Sequence, residues 1–574
     1  MKTTKMRRQT VASTDYADYT DYLRNLRNLW MAWEVNMWRS LVLLLTITFA
    51  VNAQQSQLGR VEFPTSGSQK AQAHFLRGLA ALHSFWYEEA LEAFRDSTKI
   101  EPDFAMGYWG EAMTYNHPLW SEQDIAAARQ ALAKIKETPK LTNRERAYIA
   151  AVRLLYGEGD KQTRDAAYSA AMEKIYRAYP DDLDAAAFYS LSLLGLVRPE
   201  DKSYRLQAKA GAIALEVYQK NPDHPGAAHY IIHAYDDPDH AVLALPAARR
   251  YADIAPEAHH ARHMPSHIFL QLGMWPEAAA SNESAWQASD AWMKRKNLSV
   301  NVRDYHSLHW LLYVYLQQGR YGDAEKLLNL MKQVMSESTY DNKLRPDYYE
   351  NNYASMAAAF VVETQRWDLA NELFPESKTS NASEQTSMSG SHGVHGSAPA
   401  PADNAGATVR YPKASRTLPV FIRALSAAIR GSSNVDSNPS TIRELEVAAL
   451  SASMKSDHVQ AIELMKKATA LEEAMSPPSG PPILIKPTHE LFGEILLHAG
   501  KPVEAAEQFR VALSRQPNRA RSLLGLARAA AQSGDQTTAA ATYAKFLEQW
   551  KQADKELPEL REAQDYLKEA KPLK

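Results

Sequence analysis

Histidines are concentrated in one stretch of this 574-residue chain, where they recur at a fixed interval. Ten of the eighteen histidines lie between His224 and His309. Three pairs of residues in this stretch share a separation of 34 positions: Pro222 and Pro256, His229 and His263, and His233 and His267. Such a period indicates a repeated structural unit that presents the same face each time.

Four of these histidines have the spacing of a metal site on helices. His229 and His233, like His263 and His267, are four residues apart, which places both rings of a pair on one helix face. Neutral imidazole binds zinc, copper, iron and nickel, and a helical pair can chelate one ion. We therefore predict these four residues as ligands of a divalent transition metal, zinc or copper. Asp236 is a further candidate, either as a ligand or as an acceptor that orients a histidine ring.

The same stretch also fits a surface that binds a peptide or a partner protein. Histidine rings can hydrogen-bond to backbone carbonyls or stack on aromatic rings such as those of Tyr230 and Trp310. The sequence leaves the metal and the peptide interpretations open. In both, the predicted ligand-binding residues are His229, His233, Asp236, His260, His263, His267, His306 and His309.

Pro265 bears on the geometry of the second histidine pair. Proline lacks the amide hydrogen that a helix interior requires. A helix that contains Pro265 is therefore expected to begin near Met264. That start would put His263 on the incoming turn, out of line with His267.

Motifs of known catalytic chemistry are not evident in the sequence. There is no HExxH zinc-protease element, no GxGxxG dinucleotide loop and no GxxxxGK[ST] phosphate loop. Ser266 stands between His263 and His267 but lacks the GxSxG context of a hydrolase nucleophile. The sequence favours a binding protein over an enzyme, and a metal-dependent enzyme that uses the histidines is the alternative.

The composition of the chain excludes several kinds of site. There is no cysteine, which rules out disulfides, thiolate-bound metals and thiol nucleophiles. The net charge is −2 and the isoelectric point is near 6.8. Without an excess of basic residues, we predict a protein or peptide partner and no nucleic-acid partner.

Apolar residues follow a helical period through most of the chain, without the sustained alternation that strands show. Glycine, aromatic residues and alanine mark units within this pattern. The first unit has Gly78, Tyr87, Ala90, Phe94 and Pro102 at the marked positions. Near the C-terminus three pairs again differ by 34: Gly500 and Gly534, Ala505 and Ala539, and Phe509 and Tyr543. Each unit is expected to be a helix-turn-helix.

This pattern resembles the tetratricopeptide repeat (TPR) family over most of residues 71–375 and 440–550. The strings HYIIHAYDDPDHA and HHARHMPSHIFLQLGMW are also similar to a subgroup of exported bacterial TPR proteins with a His-Met-Pro-Ser-His element. The resemblance implies an all-α fold, a right-handed TPR α-solenoid of helix-turn-helix repeats. It also implies that peptides or partner proteins bind in a concave groove, which in that family is lined by the face carrying the repeated histidines.

The N-terminal segment predicts export. Residues 37–53 (MWRSLVLLLTITFAVNA) contain a basic residue, an apolar run and a small-residue site for cleavage after Ala53. We therefore predict a periplasmic or secreted protein, whose translation could start at Met37 rather than Met1. The alternative is an inner-membrane anchor formed by residues 41–53, and only this uncleaved segment would then touch the membrane.

Composition divides the chain into five predicted parts. Residues 1–53 are the N-terminal extension with the signal peptide or anchor, and residues 54–70 are a linker. Residues 71–375 form a first TPR solenoid with the histidine-rich groove. Residues 376–415, rich in Ser, Gly, Ala and Pro, are predicted to be a disordered linker, and residues 416–574 a second TPR solenoid.

Overall fold

A computed structural model describes residues 56–120, 122–198, 201–337, 347–375, 414–432 and 439–569. The predicted signal or anchor segment and nearly all of the predicted linker at 376–415 lie outside the described residues. Contacts divide the chain into two units, Met1–Gln57 and Leu58–Lys574, and every α-helix named below belongs to the second. Among the described residues, no helix is long and apolar enough to span a membrane.

The second unit is built almost entirely of α-helices over its described residues. Those before the histidine-rich stretch are α1 (Gln69–His83), α2 (Tyr87–Ile100), α3 (Ala105–Met113), α4 (Ile125–Ala133), α5 (Asn143–Leu155), α6 (Lys161–Ala178), α7 (Leu183–Leu194) and α8 (Arg205–Lys220). Between α3 and α4 lies a short antiparallel strand pair, β1 (Asn116–His117) and β2 (Glu122–Gln123).

The remaining helices fall on either side of residues 376–413. Before them come α9 (Pro225–Ala234), α10 (Ala241–Ile254), α11 (His259–His263), α12 (Pro265–Gln271), α13 (Trp275–Lys296), α14 (Tyr305–Gln317), α15 (Tyr321–Ser336), α16 (Tyr348–Thr364) and α17 (Ala370–Leu373). After them come α18 (Ala414–Ile429), α19 (Ile442–Met454), α20 (His458–Glu473), α21 (Thr488–His498), α22 (Pro502–Arg515), α23 (Ala520–Ser533), α24 (Gln536–Gln549) and α25 (Pro558–Glu569). Short 3₁₀ turns occur at Ser56–Leu58, Pro118–Trp120, Val300–Val302 and Trp367–Leu369.

Consecutive helices pair as hairpins, and the hairpins stack on one another, which confirms the predicted all-α repeat fold. Glycine permits the close approach of the helices around the buried aromatic rings. A Cβ at Gly78 of α1 would lie 2.9 Å from the ring of Phe94, and one at Gly110 of α3 would lie 2.3 Å from it. The same arrangement recurs around Phe509, with a glycine sixteen residues before it and another sixteen after it.

Several hairpins turn through a residue with left-handed backbone angles. Four hairpins use glycine there, with φ values of +65°, +69°, +70° and +83°: Gly273, Gly319, Gly500 and Gly534. In the first hairpin this position is taken by Phe85, with φ of +52°. A residue with a side chain costs about 1–2 kcal/mol in this conformation, so the contacts of the Phe85 ring must offset that cost.

The stretch predicted as a linker at 54–70 is packed against the first helices around Phe63. The Phe63 side chain is 1% exposed. Its ring centroid lies 5.3 Å from that of Phe75 on α1 and 4.9 Å from that of Tyr148 on α5. This part of the stretch therefore belongs to the core, because its aromatic side chain is inside it.

Helices from the two sides of residues 376–413 pack together through a buried ionic cluster. Arg519, next to the start of α23, lies 2.7 Å from Glu490 of α21 and 2.6 Å from Glu363 of α16. Trp275 of α13 also donates its indole N–H to the backbone oxygen of Asn518 at 2.9 Å. The two stretches predicted as separate solenoids thus share a packed surface, and the boundary between them stays a prediction.

Candidate metal centre

Six of the predicted histidines lie on four helices: His229 and His233 on α9, His260 and His263 on α11, His267 on α12, and His306 on α14. They form two groups of three. Within each group, one ring nitrogen from each histidine lies within 4.8 Å of the corresponding nitrogens of the other two. We name these groups the first triad (His229, His233 and His260) and the second triad (His263, His267 and His306). Three histidine nitrogens this close together could bind one metal ion.

The Nε2 atom of His229 is at the centre of the first triad. It lies 3.0 Å from Nε2 of His233 and 3.1 Å from Nε2 of His260. The Nδ1 atom of His229 lies 2.7 Å from the backbone oxygen of His83, to which it donates. Because Nδ1 then holds the one hydrogen of the neutral ring, Nε2 of His229 presents a lone pair to the other two rings.

In the second triad, hydrogen bonds fix the ring hydrogens of two histidines. Nδ1 of His263 lies 2.7 Å from Oδ1 of Asn282, whose amide nitrogen donates to the Ala278 carbonyl at 2.8 Å, so that Oδ1 must be the acceptor. Nδ1 of His267 donates to Oδ2 of Asp236 at 2.6 Å. The Nε2 atoms of these two histidines face each other at 3.1 Å, and both carry lone pairs when the rings are neutral. No hydrogen bond can join them in that state.

The two triads occupy equivalent positions in successive units. Counted from the first residue of each hairpin, position 5 is His229 or His263, position 9 is His233 or His267, and position 2 of the following hairpin is His260 or His306. Each triad therefore takes two residues from one first helix and the third from the start of the next. The third histidines are 46 rather than 34 residues apart, because α13 has 22 residues where α10 has 14, and the connection after it is also longer.

The prediction that Pro265 would put His263 out of line with His267 is wrong. Pro265 does begin a new helix, α12, but Met264 before it has right-handed helical angles, with φ of −54° and ψ of −34°. The chain therefore keeps its helical direction across the break. Proline is tolerated in the first turn, where its missing N–H would have no helical partner. His263 consequently stays one turn before His267.

Aromatic rings enclose the first triad. The ring of Phe85 lies 4.3 Å from that of His229, 5.8 Å from that of His233 and 5.7 Å from that of His260. These contacts explain why a bulky residue occupies a turn position that glycine takes in other hairpins. The ring contacts of Phe85 with the three imidazoles offset the strain of its left-handed backbone.

The second triad has an aromatic wall of its own. Trp310, one turn after His306 on α14, lies 4.2 Å from the ring of His267 and 4.9 Å from that of His263. His263 has no exposed surface, and His267 and His306 are less than a tenth exposed. In the first triad only His233 is half-buried rather than buried. Both triads are thus shielded from bulk water.

A proline-rich segment of the chain packs beside the second triad, on Gln271 and Trp310. The side-chain amide of Gln271 donates to the backbone oxygen of Pro478 at 2.9 Å and to Oδ1 of Asp236 at 3.2 Å. A Cβ at Gly480 would lie 2.4 Å from the Trp310 ring. The chain itself therefore fills this part of the surface that was predicted to receive a peptide.

A third buried group adjoins the first triad and was not predicted from the sequence. Nε2 of His83 and Nε2 of His224 lie 2.9 Å and 3.3 Å from Oδ1 of Asp184. The Nδ1 atom of His83 lies 2.9 Å from the Tyr230 hydroxyl, and Nδ1 of His224 accepts from the Ala227 amide. Both rings can therefore donate to the carboxylate through Nε2–H, which makes this a hydrogen-bonded core cluster.

The charge of Asp184 is stabilised by these two histidines. Burial alone would raise the pKa of Asp184, but the hydrogen bonds from His224 and His83 outweigh it and hold the pKa below its usual value. Burial lowers the pKa of His83. The cluster fixes the His83 residue, whose backbone oxygen in turn orients His229.

The four remaining predicted residues, Asp236, His260, His306 and His309, differ in their position relative to the triads. Asp236 is an acceptor for His267, one of the two roles that the sequence left open. His260 and His306, predicted to bind a ligand but not a metal, complete the two triads. His309 lies half-buried on α14 outside both triads, and burial lowers its pKa to about 4.

Ser266 has no arrangement for nucleophilic catalysis. It is fully buried, and its hydroxyl lies 3.5 Å from Nδ1 of His263, whose hydrogen is donated to Asn282. The Nε2 atoms of the second triad are on the other side of the ring. The hydroxyl therefore lacks a base to accept its proton.

No family model matches the chain, and no curated protein matches it. Solved structures with similarity include the human IFIT1 dimer with m7Gppp-AAAA, at 13% identity and a TM-score of 0.31 over 88% of this chain and 90% of that chain. The TPR domain of P58(IPK) is 11% identical, with a TM-score of 0.19 over 88% of this chain and 100% of that chain. The Cut9–Hcn1 hetero-tetramer of the APC/C is 14% identical, with a TM-score of 0.25 over 92% and 81%. Because these scores are low, the ligands and assemblies of those proteins are not transferred to this chain.

Proposed function

We propose that this protein binds transition-metal ions on its two histidine triads, within a helical repeat scaffold. The observation that carries the proposal is the pair of Nε2 atoms of His263 and His267, 3.1 Å apart, with both Nδ1 hydrogens donated to Asn282 and Asp236. Two imidazole lone pairs held this close together are a pair of ligand atoms that one transition-metal ion can bind.

The distances and ligand types suit zinc or copper. Bonds of about 2.0–2.1 Å from zinc to nitrogen put two ligand atoms of a tetrahedral site about 3.3 Å apart. The Nε2 separations of 3.0 Å and 3.1 Å in the first triad and 3.1 Å in the second are near that value. Three nitrogens per ion leave one coordination position open. Donation from Nδ1 to a carboxylate, an amide oxygen or a backbone carbonyl is also what metal-bound histidines commonly do.

A shared proton is the competing explanation for the close Nε2 atoms. One imidazolium per triad would also remove the repulsion, at the cost of charging a buried ring. The two explanations differ in their response to pH. Metal binding requires neutral rings and therefore strengthens as pH rises, whereas a proton between the rings is lost as pH rises.

Direct binding of a protein or peptide partner remains the other function that the sequence predicts, and the repeat scaffold supports it. Pro478 accepts a hydrogen bond from Gln271, and Gly480 packs on Trp310, whose ring contacts the second triad. A peptide at this place would have to displace that segment or bind elsewhere on the helices. We also propose export with cleavage after Ala53, on the basis of the sequence at residues 37–53. Determination of the N-terminus of the protein from its native cells tests this, and an intact N-terminus in the membrane fraction would support the anchor.

Metal analysis of the purified, tag-free chain tests the metal proposal. We expect two zinc or copper ions per chain. His260→Gln and His306→Gln each remove one ligand of one triad and should each reduce the content to one ion. His309→Gln, on the same helix as His306 but in neither triad, is the control and should keep two. The proposal would be contradicted if the wild-type protein contained no bound metal and its melting temperature did not change on addition of zinc or copper.

A further inference from the structure

We propose that the proline-rich segment at residues 476–487 controls ion exchange at the second triad. We name this segment the strap, and Gln271 is the positioning residue that links it to the triad. This inference rests on the proposed metal binding and adds its regulation by a part of the chain that is distant in sequence. Two separate chains of contacts from the strap to the second triad carry it.

The first chain of contacts runs through the side-chain amide of Gln271, which is 1% exposed. Its Nε2 donates to the backbone oxygen of Pro478 at 2.9 Å and to Oδ1 of Asp236 at 3.2 Å. Because both partners are acceptors, the amide nitrogen rather than the amide oxygen must face them. The other carboxylate oxygen of Asp236 accepts from Nδ1 of His267. Docking of the strap therefore fixes the carboxylate that orients a proposed metal ligand.

The second chain of contacts runs through the indole ring of Trp310. The centroid of this ring lies 4.2 Å from that of His267, 4.9 Å from that of His263 and 5.5 Å from that of His306. A Cβ on Gly480 of the strap would lie 2.4 Å from the indole, so the strap backbone rests on it. The strap thus supports an aromatic wall that contacts all three histidines of the second triad.

The strap connects α20 to α21 and is held at both ends. Arg515 donates to the backbone oxygen of Met475, just before the strap, at 3.3 Å. At the other end Lys486 is 4% exposed and pairs with Glu490 at 3.0 Å. Between these anchors the sequence SPPSGPP contains four prolines, which have no N–H to donate to a neighbouring helix or strand. Such a segment can lift from the triad and return while its ends stay in place.

The contacts of the strap single out the second triad. The position equivalent to Gln271 in the preceding hairpin is Asp237, 34 residues earlier. The carboxylate of Asp237 accepts from Nδ1 of His240 at 2.8 Å, and His240 belongs to neither triad. The first triad is covered by Phe85 instead. Ion exchange at the two triads should therefore respond differently to changes in the strap.

Coupling between the strap and the ion must act in both directions. If the docked strap strengthens ion binding, a bound ion strengthens docking of the strap by the same factor. The docked strap should thus slow release of the ion from the second triad. A bound ion should in turn slow hydrogen exchange of the strap amides, because exchange requires local opening.

The test uses the full chain with His260→Gln, which leaves the second triad intact and the first incomplete, and zinc as the probe. Release of zinc to an excess of chelator is followed over time. Gln271→Ala and Gly480→Ala disturb the two chains of contacts separately and should each speed release about tenfold. Gly322→Ala, whose new Cβ would lie an ordinary 3.6 Å from its nearest neighbour, is the control and should not change release. In a His306→Gln chain, which keeps the first triad, none of these substitutions should change release.

Hydrogen exchange gives a second readout, without any substitution in the strap. Zinc should slow exchange at residues 476–487 in the His260→Gln chain and leave it unchanged in the His306→Gln chain. If both chains bind zinc but neither release nor exchange responds as stated, the second triad exchanges its ion independently of the strap, and this inference alone is overturned. Failure of both chains to bind zinc or copper would overturn the metal proposal and this inference with it.

Discussion

The Nε2 atoms of His263 and His267 lie 3.1 Å apart although the Nδ1 hydrogen of each ring is donated elsewhere. This relationship follows from the local backbone. Met264 keeps helical angles across the break before Pro265, so the two histidines stay one turn apart. Asn282 and Asp236 then orient the rings from opposite sides. The Nε2 lone pairs of both rings consequently point towards each other.

Asp236→Asn should weaken metal binding at the second triad by about 10–100-fold, because a neutral acceptor no longer raises the basicity of His267. Competition with a chromophoric chelator measures the affinity of each site. Asp239→Asn, three residues away and exposed, is the matched control and should leave both affinities unchanged. Equal affinities in wild type and Asp236→Asn would show that the carboxylate does not act through the histidine.

Phe85→Ala should destabilise the fold by about 3–5 kcal/mol, the usual cost of removing a buried aromatic ring. Phe85→Gly loses the same ring but accepts the φ of +52° without strain, so it should be less destabilising than alanine by about 1 kcal/mol. Urea unfolding gives both values. Ser456→Gly, with φ of +63° at the equivalent turn, should be stabilising and serves as the control for backbone strain. Identical stabilities of the alanine and glycine variants would contradict the strain argument.

Glu446→Gln should stabilise the protein at neutral pH by about 1–3 kcal/mol. Glu446 of α19 is 1% exposed, and burial, followed by the nearby charge of Glu472, raises its pKa well above the ordinary 4.5. Above pH 4.5 the folded state keeps a proton that the unfolded chain releases, so the free energy of unfolding falls as pH rises. The advantage of the glutamine variant should therefore grow from acidic to neutral pH.

Chemical denaturation at several pH values measures this difference. Glu507→Gln, on the exposed surface of α22, should show no such pH dependence. A constant difference between Glu446→Gln and wild type across the pH range would mean that Glu446 does not titrate abnormally.

Arg519→Met should destabilise the fold by about 3–5 kcal/mol, since it leaves Glu363 and Glu490 buried beside a neutral side chain. Replacing Glu363 by an apolar residue as well should recover part of the loss, because it removes the carboxylate that Arg519→Met leaves unpaired, whereas Glu490 keeps the buried Lys486 at 3.0 Å. Arg561→Ala breaks an exposed pair with Glu556 and should cost less than about 1 kcal/mol. Thermal and urea unfolding compare the variants, and a double variant at Arg519 and Glu363 that is no more stable than Arg519→Met would refute the explanation.

The sequence period was enough to predict which histidines share a helix face, because a face is a property of spacing within one helix. It predicted His229 with His233 and His263 with His267, although Pro265 was wrongly expected to put the second pair out of line. It did not indicate which other histidine would join each pair. The division into two triads depends on how α11 packs against α9 and how α14 packs against α12. Such contacts between units are tertiary, and they brought in His260 and His306 as the third members.

The cluster of His83, Asp184 and His224 could not be predicted in the same way. Its members are separated by 101 and 40 residues and have no repeated counterpart in the sequence. Phe85 was likewise not among the predicted site residues, since its unusual backbone angle is invisible in the sequence. The sequence therefore revealed the histidines that recur at the repeat interval and missed the residues packed around them, such as His83 and Phe85.

Because every triad straddles two hairpins, the number of sites is one less than the number of hairpins that supply histidines. Duplicating a whole hairpin would create another site without any new kind of residue. Deleting the hairpin of α9 and α10 would keep the three histidines of the second triad but would remove Asp236, the acceptor of His267. The series ends at α14, where position 9 is Tyr313 instead of histidine. Its hydroxyl accepts a hydrogen bond from Arg519 at 3.0 Å. At that point the same helical position, which holds a proposed metal ligand in the two preceding hairpins, instead joins the N-terminal hairpins to the C-terminal ones.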